Sequence, residues 1–263
     1  MMIVAGCDIG STTAKAVILD DSTIIATILL PVEGSPKDAA LLLLSSVQEK
    51  TGIQPSQIEA WCGTGYGQKN IPYASTVESE IVCHAKGVQF IDPDVRTIID
   101  IGGQDAKVCR IDAYGNVQRY VYNDKCASGT GRFLEITADV LEVPITELAT
   151  LDAKGVKEVT LSNQCVVFAE TEVISLLNSG EDMGNIVKGL HRALASRVAS
   201  LALSIGVEEK IAFTGGVAHN AGMVGALERV LKTKLVVHEY CQMMGALGAA
   251  LIAQERIKNR VAS

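Results

Sequence analysis

The sequence predicts an α/β fold made of two duplicated lobes. Three observations carry that expectation. The string Asp-Ile-Gly-x-x-x-Ala-Lys occurs twice, as DIGSTTAK at Asp8 to Lys15 and as DIGGQDAK at Asp100 to Lys107. Each copy follows a short apolar run of β type, Ile3-Val4-Ala5 in one case and Thr97-Ile98-Ile99 in the other. The 263 residues are 48% hydrophobic with 24 glycines and 6 prolines, which suits a large core with many tight strand–helix turns. An acid at the end of a strand, followed by a glycine turn, brings a carboxylate and backbone N–H groups to one spot. Phosphate and Mg²⁺ are held by such groups.

The elements follow in order. Apolar runs of β type predict strands near 3–9, 15–20 and 24–30, then a helix near 36–50 with Ser35-Pro36 as its N-cap and first residue. A strand near 58–62 leads into Gly63-Thr64-Gly65-Tyr66-Gly67, and 75–91 is predicted helical, crossing between the lobes. Strands near 95–101, 106–111 and 117–122 repeat the opening, with a hairpin turn at Asp112-Ala113-Tyr114-Gly115-Asn116. Helices are expected near 129–141, 166–179 and 184–205. A strand near 210–213 runs into TGGVAHN at 214–220, followed by a helix, a strand at 235–237 and a last helix from about 243. The expected lobes are 1–94 and 95–263, with the last helix free to pack back on the first lobe.

Composition narrows the function. A net charge of −7 argues against nucleic acid and anionic membrane as partners. No apolar run reaches the ~18 residues of a membrane span. No basic region precedes the first apolar residues, so a cytoplasmic protein is expected. The 7 cysteines include no CxxC pair, which is unlike a disulfide scaffold.

Other nucleotide signatures, GxxxxGK[ST] and GxGxxG, do not occur. The phosphate site is therefore assigned to the two acidic turns and to Thr214-Gly215-Gly216. Two adjacent glycines after a strand let a nucleoside lie flat against backbone. In the second turn Gln104-Asp105 stands against the Ser11-Thr12-Thr13 run of the first. Hydroxyls suit phosphate, whereas an amide and a carboxylate suit a water nucleophile and hydrated Mg²⁺. Lys15 and Lys107 also admit a reading as solvated strand-edge residues, as many such lysines are.

Two cysteines differ from the rest by context. Cys126 in NDKCASGTGRFLE and Cys165 in SNQCVVFAE each precede a predicted helix, where the helix dipole stabilises a thiolate. Such a pair could be a redox disulfide, half of a metal site or two buried caps. Two cysteines cannot hold an iron–sulfur cluster that takes four, but a two-fold dimer doubles them.

DIGSTTAK, DIGGQDAK and TGGVAHN together resemble the actin, hexokinase and heat-shock-protein-70 ATPase superfamily, and hence its ribonuclease-H-like lobes. NDKCASGTGRF, SNQCVVFAETEVIS, the EIVCHAKG run at 80–87 and GALGAAL at 245–251 resemble a narrower group, the activators (component A) of 2-hydroxyacyl-CoA dehydratases. This resemblance spans essentially the whole chain. It implies a homodimer with one [4Fe–4S] cluster on its two-fold axis, held by Cys126 and Cys165 of each subunit. ATP hydrolysis would drive a low-potential electron into a partner iron–sulfur enzyme, with ferredoxin or flavodoxin as donor. The implied ATP contacts are Ser11, Thr12, Thr13, Lys15, Gly102, Gly103, Gln104, Gly215, Gly216, Val217 and Asn220. Asp8 and Asp105 would hold Mg²⁺, and Gln104 or Asp105 would position water. Ser128, Asn163-Gln164 and Gln68 depart from the pattern, and the first two departures flank the cluster ligands. Related activators serve benzoyl-CoA reductases and double-cubane-cluster proteins. The rivals from other classes are a small-molecule kinase of the same superfamily and a nucleotide-dependent interaction switch.

Overall fold

Strand β1 (Ile3–Ile9) is buried along its whole length because it has a neighbour on each side. A strand hidden on both faces needs the continuous apolar run seen here rather than strict alternation. The computed structural model describes residues 2–161 and 165–262. The chain divides into two compact units, one of Met1–Val95, Ile111–Gln118 and Gln242–Ser263, the other of Arg96–Arg110 and Arg119–Cys241.

In the first unit β2 (Thr13–Asp20) runs antiparallel to β1, and β3 (Thr23–Pro31) runs antiparallel to β2. Helix α1 (Pro36–Thr51) starts where Ser35 Oγ accepts from Asp38 N at 3.2 Å, with Pro36 as its first residue. Strands β4 (Ala60–Thr64) and β5 (Thr76–Val77) then add in parallel, giving the order β3-β2-β1-β4-β5. Helix α2 (Glu80–Ile91) follows. The predicted helix over 75–91 therefore begins later than expected, since β-branched Thr76 and Val77 pair with β4 instead.

The second unit repeats this order. Strands β6 (Thr97–Ile101), β7 (Ala106–Ile111) and β8 (Val117–Asn123) form the antiparallel side. The turn before β8, which the division of the chain counts with the first unit, closes where Asp112 Oδ1 accepts from Tyr114 N and Asn116 N. Helices α3 (Gly131–Val140), α4 (Leu148–Lys154), α5 (Val166–Asn178) and α6 (Met183–Ile205) come next. Strand β9 (Ile211–Thr214), helix α7 (Ala221–Leu231) and β10 (Leu235–Val236) complete the sheet β10-β9-β6-β7-β8. The sequence did not predict α4, which is only 7 residues long.

Helix α8 (Met244–Ala262) belongs to the first unit, where it packs on β1, β2, β4 and α2. Glycines let three backbones approach one another there. A Cβ on Gly248 would stand 1.7 Å from Cys83 O, one on Gly6 1.9 Å from Ala246 O, and one on Gly87 2.2 Å from Met244 O. Each obstacle is a backbone atom inside a regular element, so none can yield cheaply. Gly248→Ala is accordingly expected to destabilise the protein by about 3 kcal/mol or more, read as a lower urea midpoint.

Candidate nucleotide and cluster site

The two acidic turns are built to one plan. Asp8 pairs in register with Lys15 on β2 and with Thr64 on β4, and Asp100 pairs with Lys107 on β7 and Thr214 on β9. Gly10 N donates to Thr13 O at 3.0 Å, and Gly102 N donates to Asp105 O at 2.9 Å. Each threonine is followed by a glycine with positive φ, +85° at Gly65 and +87° at Gly215, which an L side chain rarely adopts. The repeat thus includes a Thr-Gly step that the sequence analysis did not align. Its only signal was the recurrence of Thr-Gly after a strand.

The two copies differ at the carboxylate. Asp100 is satisfied inside its unit, for its Oδ1 accepts from Thr214 Oγ1 at 2.8 Å and its Oδ2 lies 3.6 Å from Lys107 Nζ. In the first unit Thr64 Oγ1 donates to Glu78 O instead. Asp8 Oδ2 meets Lys15 Nζ at 3.1 Å, but its buried Oδ1 has no hydrogen-bond partner. Leaving such an acceptor unpaired costs about 1–3 kcal/mol. An orphaned carboxylate oxygen beside a glycine turn fits a hydrated Mg²⁺. Asp105 is only part-buried and sits 2.8 Å from Lys107 Nζ through its Oδ2. Both lysines are paired with acids, and Lys107 is 5% exposed, so the reading of solvated strand-edge lysines is corrected.

Ser11, Thr12 and Thr13 are half-buried in the first unit, as are Gly102 and Gly103 in the second, while Gln104 is exposed. Gly216 is exposed and Val217 buried in the turn after β9. Asn220 is engaged within its own unit. Its Oδ1 accepts from Met223 N at 3.1 Å, capping α7, and its Nδ2 lies 3.2 Å from His191 Nε2. His191 is fully buried, and its Nδ1 faces Asp152 Oδ1 at 3.1 Å. Because Asn220 Nδ2 can only donate, Nε2 of His191 accepts and Nδ1 carries the proton. His191 and Asp152 thus hold the glycine loop and were not foreseen, since nothing in sequence links them to it.

Five of the seven cysteines are buried, whereas Cys126 is part-exposed and Cys165 exposed. Two buried caps are therefore ruled out as the reading of this pair. Burial pushes the thiols of Cys7 and Cys109 up to about 12 and raises those of Cys62 and Cys83. The Cys126 thiol moves the other way. The Ser128 hydroxyl, 3.0 Å from its Sγ, lowers it most, helped by the Ser128 amide and the charge of Arg197 against a small burial effect. Its loop is fixed by Asn123 Nδ2, which donates to Cys126 O at 2.8 Å. Cys126 caps a 3-10 turn at Ala127–Gly129 that leads into α3, and Cys165 caps α5. Helices α3 and α5 pack together. Asn163 and Gln164 lie outside the described residues. Accessible thiols are the kind that ligate metal. Among the described residues no group of three or more His, Cys, Asp or Glu side chains is placed to hold a metal ion. The chemistry of the donors fits half of a four-cysteine site. Ser128→Ala is expected to raise the pH at which Cys126 in cluster-free protein becomes alkylated, measured as the iodoacetamide rate against pH with the site assigned by mass spectrometry.

Residues 5–253 match the BadF/BadG/BcrA/BcrD ATPase family. The chain is 45% identical to the activator of lactoyl-CoA dehydratase from Anaerotignum propionicum, over 98% of this chain and 100% of that protein. It is 43% identical to the (R)-2-hydroxyglutaryl-CoA dehydratase activating ATPase of Acidaminococcus fermentans, over 95% of this chain and 96% of the other. The solved activator of the 2-hydroxyisocaproyl-CoA dehydratase from Clostridium difficile, with bound ADPNP, superposes with a TM-score of 0.95 at 43% identity, covering 99% of this chain and 97% of that one.

Proposed function

The chain belongs to the BadF/BadG/BcrA/BcrD ATPase family, and from that premise we propose that it is an ATP-hydrolysing one-electron reductase that activates a partner iron–sulfur enzyme, a 2-hydroxyacyl-CoA dehydratase. The observation that carries this reading is the pair Cys126 and Cys165. They are the two cysteines not buried, each caps a helical turn, and α3 and α5 pack together. The names of the relatives point the same way, since they are activators of 2-hydroxyacyl-CoA dehydratases.

Two cysteines per chain make a complete four-thiolate set only in a homodimer. A [4Fe–4S] cluster held there supplies a one-electron couple when bound. Asp8 offers its unpaired oxygen to Mg²⁺, and Asp105 orients water with Gln104 beside it. The hydroxyls of Ser11, Thr12 and Thr13 serve phosphate oxygens, as do the turns at Gly102-Gly103. Gly215 and Gly216 leave room for the nucleoside. Lys15 and Lys107 sit against these carboxylates, so that the acids face phosphate with a cation beside them. Ferredoxin or flavodoxin is the class of electron donor.

The test is anaerobic reconstitution with iron and sulfide, followed by iron and acid-labile sulfide analysis. Brown protein whose ATPase activity accompanies reduction of an added dehydratase is the expected result. Colourless protein that transfers phosphate to a sugar or small acid would overturn the proposal in favour of a kinase.

A further inference from the structure

The glycine turn after β9 is tied down at both ends inside its unit. At its start Thr214 Oγ1 donates to Asp100 Oδ1 at 2.8 Å, and Gly215 N donates to Cys241 O at 3.0 Å. At its end stands the side-chain amide of Asn220. Its Oδ1 must be the atom that accepts from Met223 N, the spare donor at the start of α7, so Nδ2 is the atom that faces His191. His191, on α6, can then only accept through Nε2, and its proton sits on Nδ1, 3.1 Å from Asp152 Oδ1 on α4. The opposite tautomer would set two donors against each other at Nε2 and two acceptors at Nδ1. Burial of Asp152 works against its charge, but the hydrogen bond with His191 and the positive charges of Lys188 and Arg229 outweigh it and hold the carboxyl below the usual range. His191 is fully buried, so water cannot replace a lost partner. Gly222 lets α7 rest directly on the ring. A Cβ there would stand 2.7 Å from both Cε1 and Nδ1 of His191 and 3.0 Å from Asp152 Cβ. Helices α4, α6 and α7, which pack on one another, thus meet at one imidazole. The first copy has no such device among the described residues, for its Thr64-Gly65 turn runs through a 3-10 turn at Gln68–Asn70 to β5 with no α-helix between.

We propose that Asp152, His191 and Asn220 are positioning residues for the nucleoside, a buried chain of one-way hydrogen bonds that fixes where the Gly215-Gly216 turn stands. Asn220 then acts on the nucleotide through the backbone and not by contact, because both ends of its amide are already engaged. The carboxylate of Asp152 sets the tautomer of His191, the tautomer sets the direction of the Asn220 amide, and the amide sets the joint between the turn and α7. The role assigned to the chain rests on the reading that the nucleoside lies at Gly215-Gly216, whereas the placement of the proton does not.

Two variants test it. Asn220→Asp keeps an oxygen to cap α7 but turns a carboxylate oxygen toward Nε2, which must then take a proton. His191→Phe fills the same space and leaves Asp152 and Asn220 without their partner. An imidazole ¹⁵N–¹H correlation spectrum, assigned residue by residue, is expected to show the His191 proton on Nδ1 in wild type and a proton on Nε2 in Asn220→Asp. Equilibrium binding is measured with two probes, Mg·ADP and Mg·tripolyphosphate, the second lacking a nucleoside. In both variants the affinity for ADP is expected to fall about tenfold or more, while that for tripolyphosphate stays within about twofold of wild type. Equal losses for the two probes would mean general loosening and would overturn the proposal, as would a wild-type His191 protonated on Nε2. If His191→Phe does not fold, Asn220→Asp decides alone, since it retains the buried ring and the cap. Wild-type protein that binds no ADP would defeat the reading of the site and this assignment with it. Wild type and a folded Asn220→Asp that bind ADP equally would defeat the assignment alone.

Discussion

Replacing Cys126 or Cys165 with alanine is expected to abolish iron binding, from about two iron atoms per chain to none, when four irons are shared by two chains. The size of the effect follows from symmetry. One substitution per chain removes two of four thiolates, and two ligands cannot retain the metal. The buried cysteines are the controls. Cys7, Cys62, Cys83 and Cys109 have thiols raised by burial, so the thiolate that metal needs is disfavoured there. Their conservative replacement in protein that still folds should leave iron unchanged. Full iron content in either the Cys126 or the Cys165 variant would remove the basis of the redox reading.

Asp105→Ala is expected to lower ATP turnover on the order of 100-fold or more while leaving nucleotide affinity nearly unchanged. Asp105 is half-exposed at the turn and reaches Lys107 at 2.8 Å, whereas Asp100 is already committed to Thr214 and Lys107. Of these two acids Asp105 is the one with capacity for water. Most binding contacts assigned to the nucleotide, at Gly215-Gly216 and the first turn, survive its loss. The check is steady-state hydrolysis beside equilibrium binding of a nucleotide analogue. Undiminished turnover in the folded variant would exclude Asp105 from the chemistry.

Much of this was legible in the chain itself. The central strands were foreseen because residues hidden on both faces are mostly apolar, as in the runs that precede Asp8 in Ile3–Ile9 and Asp100 in Thr97–Ile101. The repeated acid–lysine pair was visible because both partners lie within one short hairpin. The Thr64–Gly65 and Thr214–Gly215 correspondence was not. One helix, α1, separates β3 from β4, whereas α3 to α6 separate β8 from β9, and that insertion hides the common spacing. Strand β5 has 2 residues and was absorbed into a predicted helix. The roles of Ser128 and His191 depend on distances across the fold, and no periodicity reports those. The orphaned oxygen of Asp8 likewise depends on where Thr64 sends its hydroxyl.

Helix α8 has one more consequence. It fills the first unit, yet the chain reaches it only after the whole of the second. During synthesis every residue of the second unit leaves the ribosome before the helix that must lie against Gly6 and Gly87. The nascent first sheet therefore waits with one face bare, and its contacts with α8 join residues from opposite ends of the chain, which slows their closure. The unit that is begun first is the one that is finished last, and the interval between is when a chaperone has most to cover.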